Sequence, residues 1–245
     1  MEERLDKILV ERGLVSSRTR GEELIKNGDI LVNGVSIEKP GKKIPLDATI
    51  VLLNEELTWV SRGALKLLKA IEHFEISVEG KTFIDLGAST GGFTEVLLKH
   101  NASQVFCVDV GHGQLHDRIA ADERVVNIEK THIRELTTTH IPNKVDGIVI
   151  DVSFISLEKV LPFTTPFIQQ DGILVALIKP QFELEKKLLN KQGIVKSASN
   201  YPSVIERIKN AAIASNFEVV AVIDSPIVGG DGNKEFLLVA RKKAI

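Results

Sequence analysis

The chain has 245 residues, 43% of them hydrophobic and 26% charged, with a net charge of −2 and a mean hydropathy of +0.07. This composition is typical of a globular protein with one large α/β domain and a small extra module. It argues against a membrane protein, because no apolar run approaches about 18 residues and no signal peptide opens the sequence. The single cysteine, Cys107, excludes an internal disulfide framework. We expect a cytoplasmic protein in which Cys107 lies in a buried strand.

Residues 1–53 predict a small α+β domain. Apolar residues at spacings of three and four indicate a helix in RLDKILVER, and a second helix follows in TRGEELIKN, capped by Ser16 or Ser17. Gly21 inside the second helix costs about 1 kcal/mol relative to alanine. The remaining residues, up to ATIVLL at 48–53, predict short strands between proline and glycine turns.

The charges of this small domain balance. Nine lysine and arginine residues stand against nine acidic ones, so any binding to RNA must come from charges sorted onto separate faces. The alternative is a mixed, solvated helix surface. No aromatic residue occurs in 1–53, which favours recognition of structured RNA by its shape over stacking on single strands. The candidate phosphate contacts are Arg4, Lys7, Arg18, Arg20 and Lys26.

Residues 54–60, NEELTWV, predict a linker, in which Trp59 either covers the small core or joins the two domains. From residue 61 to 245, apolar strands alternate with helical patterns, which predicts a mostly parallel α/β sheet. The strands are TFIDLG, QVFCVDVG, VVNIE, GIVIDVSF, GILVALIKP, FEVVAVID and EFLLVARK, and the helices include SRGALKLLKAIEHF, FTEVLLKH, ISLEKVLPFTTPFIQQ and YPSVIERIKNAAIASN. A loop, SPIVGGDGNK, joins the last two strands, so the final strand is expected to run antiparallel, as in Rossmann-like methyltransferases.

The segment FIDLGASTGGFTEVLL, residues 83–98, predicts a strand, a glycine turn and a helix. It lacks the Lys-Ser/Thr of triphosphate sites and the third glycine of dinucleotide sites. Gly87 and Gly91 let backbone amides approach a ligand, and Asp109, at the end of the next strand, suits ribose hydroxyls. We therefore expect S-adenosylmethionine, the alternatives being another nucleotide or a turn made only for packing. We predict no metal site.

Further polar residues are predicted at the same edge of the sheet. Asp151 and Lys179 end the fourth and fifth strands, Glu235 begins the antiparallel last strand, and Lys66 lies on the helix before the first strand. A lysine that burial disfavours in its charged form can accept the proton of a ribose hydroxyl, with carboxylates holding the amine. Taken singly, each residue is more simply a solvated residue at the rim.

Rival methyl-transfer chemistries lack their residues. The segment DVSF carries none of the prolines of the [DN]-P-P-[YF] motif that presents a planar amine, and Cys107 lies in the wrong strand for attack on a pyrimidine ring. Methylation of a hydroxyl group is the chemistry that survives.

With these motifs the sequence resembles the TlyA-type rRNA 2′-O-methyltransferases, often called hemolysin A or FtsJ-like. The segments WVSRGALKL, DLGASTGGFT, VDVGHGQL, IDVSFISL, IKPQFE and SPIVGGDGNKEFL carry the resemblance, while RLDKILVERG, SSRTRGEELIKNGDILVNG and KPGKKI resemble the ribosomal-protein S-four type of RNA-binding domain. The resemblance implies methylation of a cytidine ribose in ribosomal RNA. The short amino terminus favours the large subunit, with the small subunit as a second target.

The resemblance also implies the roles of the site residues. The family's catalytic Lys-Asp-Lys-Glu set falls on Lys66, Asp151, Lys179 and Glu235. The expected cofactor contacts are Asp85, Gly87, Ser89, Gly91, Gly92, Phe93, Asp109, Val110 and Asp151. The sequence departs from the family pattern at Gly21, Leu57, His112 and His132, which concerns cofactor affinity and the connection between the domains.

Two other functions are weighed against the enzyme. A non-catalytic RNA-binding or ribosome assembly factor would retain a vestigial cofactor pocket, but a decayed site would have lost at least one of the four catalytic candidates. A membrane-active haemolysin would need an export signal or a membrane-active segment, and the sequence shows neither. The expected partner is ribosomal RNA or a ribosomal subunit, without a membrane, and a monomer is favoured.

Overall fold

The computed structural model describes residues 2–15, 17–26, 28–52 and 59–244. The chain divides into two compact units, Met1–Arg62 and Gly63–Ile245. Most of the predicted linker, together with the departure at Leu57 and the candidate cap Ser16, lies outside the described residues. Each unit has its own hydrophobic core.

The described residues of the small unit form two helices and short antiparallel strands. In chain order these are β1 (Glu2–Arg4), α1 (Leu5–Glu11), α2 (Arg18–Lys26), β2 (Ile30–Val32), β3 (Val35–Ser36), β4 (Lys43–Pro45) and β5 (Ile50–Leu52). β1 pairs with β4, and β2 lies between β3 and β5. The predicted α+β character is confirmed. β1 was not predicted, because its partner lies some forty positions along the chain and its own sequence, EER, has no strand preference.

The small core is built on the apolar faces of the two helices. Leu5, Ile8 and Leu9 of α1 meet Leu24 and Ile25 of α2, and all are fully buried. These residues recur at spacings of one, three and four, so burying one stripe of each helix removes them from water together. Each such side chain contributes about 1.5–3 kcal/mol of transfer free energy, which stabilises two helices too short to be stable alone.

The large unit contains a mixed sheet of seven strands over its described residues. Its elements are α3 (Ala64–His73), β6 (Thr82–Leu86), α4 (Gly92–Lys99), β7 (Gln104–Val108), α5 (Asp117–Ala120), β8 (Val125–Ile128), β9 (Val145–Ile150), β10 (Ile168–Ile178), α6 (Pro180–Glu183), α7 (Tyr201–Ala214), β11 (Phe217–Asp224) and β12 (Phe236–Lys242). The strand order is β11-β12-β10-β9-β6-β7-β8. β12 is antiparallel to both neighbours, and the other adjacent pairs are parallel, so the predicted Rossmann-like arrangement is confirmed.

One predicted helix is wrong in this unit. The segment ISLEKVLPFTTPFIQQ forms only the short 3₁₀ turns Leu157–Lys159 and Leu161–Phe163, and its last residues already belong to β10. Pro162 and Pro166 cannot donate the hydrogen bonds of a continuous helix, and Thr164 closes the turn by donating its hydroxyl to the Leu161 carbonyl at 2.7 Å. The apolar residues that suggested a helix still face the core.

The central strands are buried along almost their whole length. β9 and β10 bury Ile148, Ile150, Leu174 and Ile178 on one face of the sheet and Val149 and Val175 on the other, each at most 1% exposed. Cys107 lies in β7 and is buried, as predicted. Among the described residues, every helix is too short or too polar to span a bilayer.

Candidate active site

The register of the sheet gathers the candidate catalytic residues at one edge. Asp151 follows β9, Lys179 follows β10, and Glu235 precedes β12, whose first residue Phe236 pairs with Ile178. Because β12 is antiparallel, its beginning lies beside the carboxyl ends of the parallel strands. Lys66, on α3, reaches the same place.

The four side chains alternate in charge over short distances. Lys66 Nζ lies 2.7 Å from Glu235 Oε2 and 4.0 Å from Asp151 Oδ2, and Lys179 Nζ lies 2.6 Å from Asp151 Oδ1. The two shortest contacts are ion pairs. Lys179 Nζ also donates a hydrogen bond to Ser153 Oγ at 2.9 Å. Asp151 therefore lies between two amines.

Burial makes these charges dependent on one another. The Glu235 side chain is 2% exposed, Lys66 9%, Lys179 11% and Asp151 21%. Burial raises the pKa of Glu235 above its usual range, although the ammonium group of Lys66 opposes the shift. Removing one partner would leave a buried charge without compensation.

The glycine turn between β6 and α4 adopts backbone that other residues rarely tolerate. Gly87 has φ +80°, and a Cβ there would lie 2.4 Å from the carbonyl oxygen of Asp151. Gly91 has φ +93°, and a Cβ there would lie 2.9 Å from Leu115. Ser89 also has positive φ, at +49°. Only glycine at 87 lets the turn pass so close to the backbone of Asp151, the residue after β9.

Asp109 organises the loop after β7. Its carboxylate accepts hydrogen bonds from the backbone N–H of Ser89 at 2.8 Å and of Gly111 at 2.7 Å. One acid thus joins the glycine turn to the loop after the neighbouring strand. This places a negative charge where ribose hydroxyl groups of a bound nucleoside would need an acceptor.

A cavity of about 640 Å³ opens at the carboxyl ends of β6, β7 and β9. Five of the predicted cofactor contacts line it, namely Gly87, Ser89, Asp109, Val110 and Asp151. The other four, Asp85, Gly91, Gly92 and Phe93, do not line the cavity. Residues 131–134 and 152–155 also line the cavity and were not among the predicted cofactor contacts.

Asp85 forms a buried polar cluster with two neighbours. Thr94 donates its hydroxyl to Asp85 Oδ2 at 2.6 Å and lies 3.0 Å from Cys107 Sγ. Burial raises the pKa of Asp85 to about 7 and that of Cys107 to about 12. The thiol therefore stays protonated at neutral pH, which excludes it as a nucleophile.

Two histidines replace the residues usual in the resembled family. His132 lines the cavity and caps the turn Ile133–Glu135, its Nδ1 accepting from the Arg134 N–H at 3.2 Å. His112 is exposed, with Nδ1 2.6 Å from Glu129 Oε2. The Gly113 N–H, Asn127 and His112 together lower the pKa of Glu129 to about 2. Both imidazoles thus have structural contacts in the loops that border the cavity.

Phe154 is a candidate that sequence reasoning missed. It lies three residues beyond Asp151, has φ +63°, and is 90% exposed at the wall of the cavity. Its ring centroid is 5.0 Å from that of Phe182. The sequence did contain a sign of this: an aromatic residue stands in the loop after a predicted strand, where it is not needed to fill the core.

The predicted RNA contacts of the small unit are paired with acids. Arg4 and Arg18 each lie 2.8 Å from Oδ2 of the fully buried Asp6, and together they lower its pKa to about 2. Glu22 lies 3.9 Å from Arg18 and 4.0 Å from Lys26. Arg20 pairs with Glu23 at 2.7 Å, and Lys7 with Glu3 at 2.6 Å. Arg4, Arg18 and Lys26 therefore lie along one chain of contacts, and the other two lie outside it.

Models of known families match both units. The FtsJ-like methyltransferase model matches residues 59–242, and the S4 domain model matches residues 3–50. The chain belongs to the FtsJ-like methyltransferase family. The resemblance stated from the sequence is thereby confirmed.

Relatives of this FtsJ-like protein match over nearly its whole length. The 16S/23S rRNA (cytidine-2′-O)-methyltransferase TlyA of Mycobacterium tuberculosis is 41% identical, over 97% of this chain and 89% of the relative. The 23S rRNA (cytidine-2′-O)-methyltransferase TlyA of Campylobacter jejuni is 32% identical, over 93% and 95%. A solved hemolysin-type protein of Streptococcus thermophilus is 38% identical, with a TM-score of 0.78 over 99% of this chain and 89% of that one.

The donor set of the FtsJ-like unit fits a nucleoside with an uncharged or cationic tail. The cavity offers the Asp109 carboxylate, the glycine turn and apolar groups such as Val110, and Arg134 and Lys159 also line it. The turn lacks the Lys-Ser/Thr pair that holds phosphates in triphosphate sites. Across residues 2–15, 17–26, 28–52 and 59–244, no three His, Cys, Asp or Glu side chains are arranged to hold a metal ion.

Proposed function

We propose that this protein methylates the 2′-hydroxyl of a cytidine in ribosomal RNA, using S-adenosylmethionine as the methyl donor. The observation that carries the proposal is the alternating set Lys66, Glu235, Asp151 and Lys179, joined by contacts of 2.6–4.0 Å at the edge of a nucleoside-sized cavity. The two TlyA relatives named above are rRNA (cytidine-2′-O)-methyltransferases, and 23S rRNA is common to both of their names. The large subunit is therefore the favoured target.

The cofactor would be held by the turn and the loop that Asp109 joins. The backbone at Gly87 and Ser89, the Asp109 carboxylate and Val110 would surround its adenosyl group. When bound, S-adenosylmethionine supplies a methyl group already activated by the positive charge on sulfur. What remains for the protein is to align the hydroxyl oxygen and to receive its proton.

Lys179 is the group proposed to handle that proton. In its uncharged form Nζ accepts the hydroxyl proton, and Asp151, 2.6 Å away, stabilises the ammonium that results. Lys66 Nζ, held by Glu235 at 2.7 Å, lies on the other side of Asp151 and orients the attacking oxygen by donating a hydrogen bond. The exposed ring of Phe154 is available to stack on the base of the target nucleotide.

The partner proposed for the S4 domain is the same ribosomal RNA, and the site of action is the cytoplasm. Arg4, Arg18 and Lys26 are proposed to bind phosphates as one group, with Lys7 and Arg20 contributing from outside it. The protein is proposed to act as a monomer.

Substituting Lys179 tests the mechanism. We expect Lys179→Ala to reduce methyl transfer at least a hundredfold, because the proton acceptor is lost, and to leave cofactor affinity within about threefold of the wild type. Transfer of labelled methyl groups to rRNA from a strain lacking the gene measures the first, and calorimetry measures the second. Lys144→Ala, before β9 at the opposite edge of the sheet, is the matched control.

The wild-type protein provides the test of the function itself. Ribose methylation is mapped by mass spectrometry in rRNA from the deletion strain and from the same strain with the gene restored. A cytidine methyl that disappears and returns supports the proposal. An unchanged methylation map would overturn it in favour of a non-catalytic assembly factor, and comparable turnover in Lys179→Ala would remove that residue from the mechanism.

A further inference from the structure

Residues 186–196 form a small hairpin in the FtsJ-like unit, here named the lysine hairpin. Leu189 and Val195 form an antiparallel bridge, and the Lys196 N–H donates to the Leu188 carbonyl at 3.0 Å. Asn190 Oδ1 closes the tip by accepting from the N–H groups of Gln192 and Ile194, both at 2.9 Å. These bonds give a short surface segment one defined conformation.

The lysine hairpin presents an excess of positive charge. Its sequence, KKLLNKQGIVK, contains four lysines and no acid, and all four are exposed. Lys187 pairs with Glu185 at 2.8 Å, and Lys196 donates to the Lys187 carbonyl at 2.8 Å. Among the described residues, neither Lys186 nor Lys191 forms an ion pair. These two ammonium groups are free to neutralise charges on another molecule.

Asn233 fastens the lysine hairpin to the loop that carries Glu235. It is 1% exposed, accepts from the Val195 N–H at 3.0 Å, and donates to the Gly193 carbonyl at 3.1 Å and to Asp231 Oδ2 at 2.9 Å. A buried amide with every polar atom paired across two loops fixes their relative position. Glu235 follows only two residues later.

The hydrogen bonds around Asp231 also reach the end of β10. Gln181, two residues after Lys179, donates from Nε2 to Asp231 Oδ2 at 3.3 Å. The lysine hairpin, Glu235 and Lys179 are thus tied together through Asp231 and Asn233 at the edge of the sheet where methyl transfer is proposed. Positive charge held close to the proposed reacting groups favours binding of a polyanion such as RNA, because the ribose to be methylated is itself part of the charged backbone.

We propose that the lysine hairpin binds the phosphate backbone of the RNA substrate close to the target nucleotide. This inference rests on the proposed function, and it adds a phosphate-binding surface on the catalytic unit to the one expected of the S4 domain. Contacts to phosphates set the register of an RNA on a protein without reading its bases. The hairpin would thereby hold the target ribose within reach of Lys179.

A matched pair of charge reversals tests the inference in the full-length protein. We expect Lys186→Glu with Lys191→Glu to weaken binding to a 23S rRNA fragment about tenfold or more at low salt, and to flatten the salt dependence. The control is Lys144→Glu with Lys243→Glu, the same charge change at the opposite edge of the sheet, which should bind as the wild type does. Binding of S-adenosylmethionine should be unchanged in both.

The outcomes separate this inference from the proposed function, because RNA affinity is measured without methyl transfer. Equal RNA affinity in the two double variants would overturn the role of the lysine hairpin while leaving methylation untouched. Wild-type protein that binds RNA through the hairpin but methylates none would sink the function and leave the surface standing.

A second variant tests the anchor. Asn233→Ala should free the hairpin, raise its rate of cleavage by trypsin several-fold, and raise KM for RNA while cofactor affinity stays the same. Faster cleavage with an unchanged KM for RNA would contradict the inference, because a detached hairpin could then not have been positioning the substrate.

Discussion

Asp85 is a buried acid of the large unit that forms no ion pair with the described residues. It is fully buried, receives one hydrogen bond from Thr94, and its Oδ1 has no hydrogen-bond partner among the described residues. Burial raises its pKa from 3.8 to about 7. The folded protein therefore keeps a proton that the unfolded chain releases at a lower pH, so this group destabilises the fold as the pH rises.

Asp85→Asn should remove that pH dependence. Well below pH 4 the carboxyl is protonated in both states, whereas between pH 4 and pH 7 ionisation favours the unfolded chain. Relative to the wild type, the free energy of unfolding of the variant should rise by about 2–4 kcal/mol across this interval. Urea unfolding at several pH values measures it, and the difference isolates Asp85 because all other titratable groups are shared. A difference that stays constant with pH would contradict the assignment.

At the level of single residues, the sequence predicted those side chains whose position follows from the topology. Asp151, Lys179 and Glu235 stand at strand ends, and parallel and antiparallel strand rules suffice to bring them together. The exposure of Phe154 and the contact of Gly87 with Asp151 depend on loop backbone that no periodicity describes. Likewise, Asp85 was predicted to contact the cofactor; the structure places it outside the cavity lining, with its carboxylate accepting a hydrogen bond from the hydroxyl of Thr94 on the next helix.

The second helix of the small unit contains a glycine, Gly21, at a position where the backbone conformation and the surrounding space would also accept alanine. Gly21 lies in the interior of α2, and a Cβ there would lie 3.4 Å from Leu9 and Val15, at ordinary contact distance. We expect Gly21→Ala to raise the free energy of unfolding of the small unit by about 0.5–1 kcal/mol, because alanine loses less backbone entropy in a helix. Urea unfolding followed through Trp59, the single tryptophan, measures it.

Gly13 is the matched control for this prediction. It has open space around it but φ +66°, so Gly13→Ala should destabilise the same unit although nothing obstructs the new methyl group. If both variants shift stability in the same direction, helix propensity is not the cause of the effect at Gly21.

At the level of elements, the periodic segments were predicted and the interrupted ones were not. α3, α4 and α7 follow from apolar spacing; α3 and α7 each bury one stripe, whereas α4 is buried on nearly all sides. The segment before β10 has similar spacing but contains two prolines. Because proline has no backbone N–H to donate, the segment does not form a continuous helix. β1 needs a partner from far along the chain, which a local pattern cannot supply.

Across the whole molecule, RNA affinity has to arise without net positive charge. The full chain carries −2, and the first 53 residues are neutral. In the S4 domain, the ion pairs with Asp6 partly neutralise Arg4 and Arg18, whose side chains remain 42% and 56% exposed. Binding through such a surface depends on local fields that salt screens within about 8–10 Å.

Arg18→Gln with Lys26→Gln tests this surface. Arg4 alone still holds Asp6 through Nε at 3.0 Å and Nη2 at 2.8 Å, so we expect the domain to remain folded. Affinity for rRNA should fall about three- to tenfold, with a shallower salt dependence, and cofactor affinity should not change. Electrophoretic mobility shift and calorimetry measure the two, with Lys144→Gln plus Lys243→Gln as control. Unchanged RNA affinity would refute the assigned face.

The architecture as a whole was the most predictable level. Seven apolar strands, crossover helices and one loop in place of the last helix leave few permitted topologies, and the observed strand order is among them. The loops that enclose the cavity depend on turn geometry. In the sequence, only the glycines indicate where such turns occur.

The near-contact between position 87 and the main chain of residue 151 has an evolutionary consequence. The backbone at Gly87 borders the cavity, and the main chain of Asp151 passes directly against it. Any side chain added at position 87 would therefore displace the cavity wall and Asp151, the proposed partner of Lys179, together. A substitution that changes the cavity without this double strain would have to fall elsewhere in its lining, for example at His132.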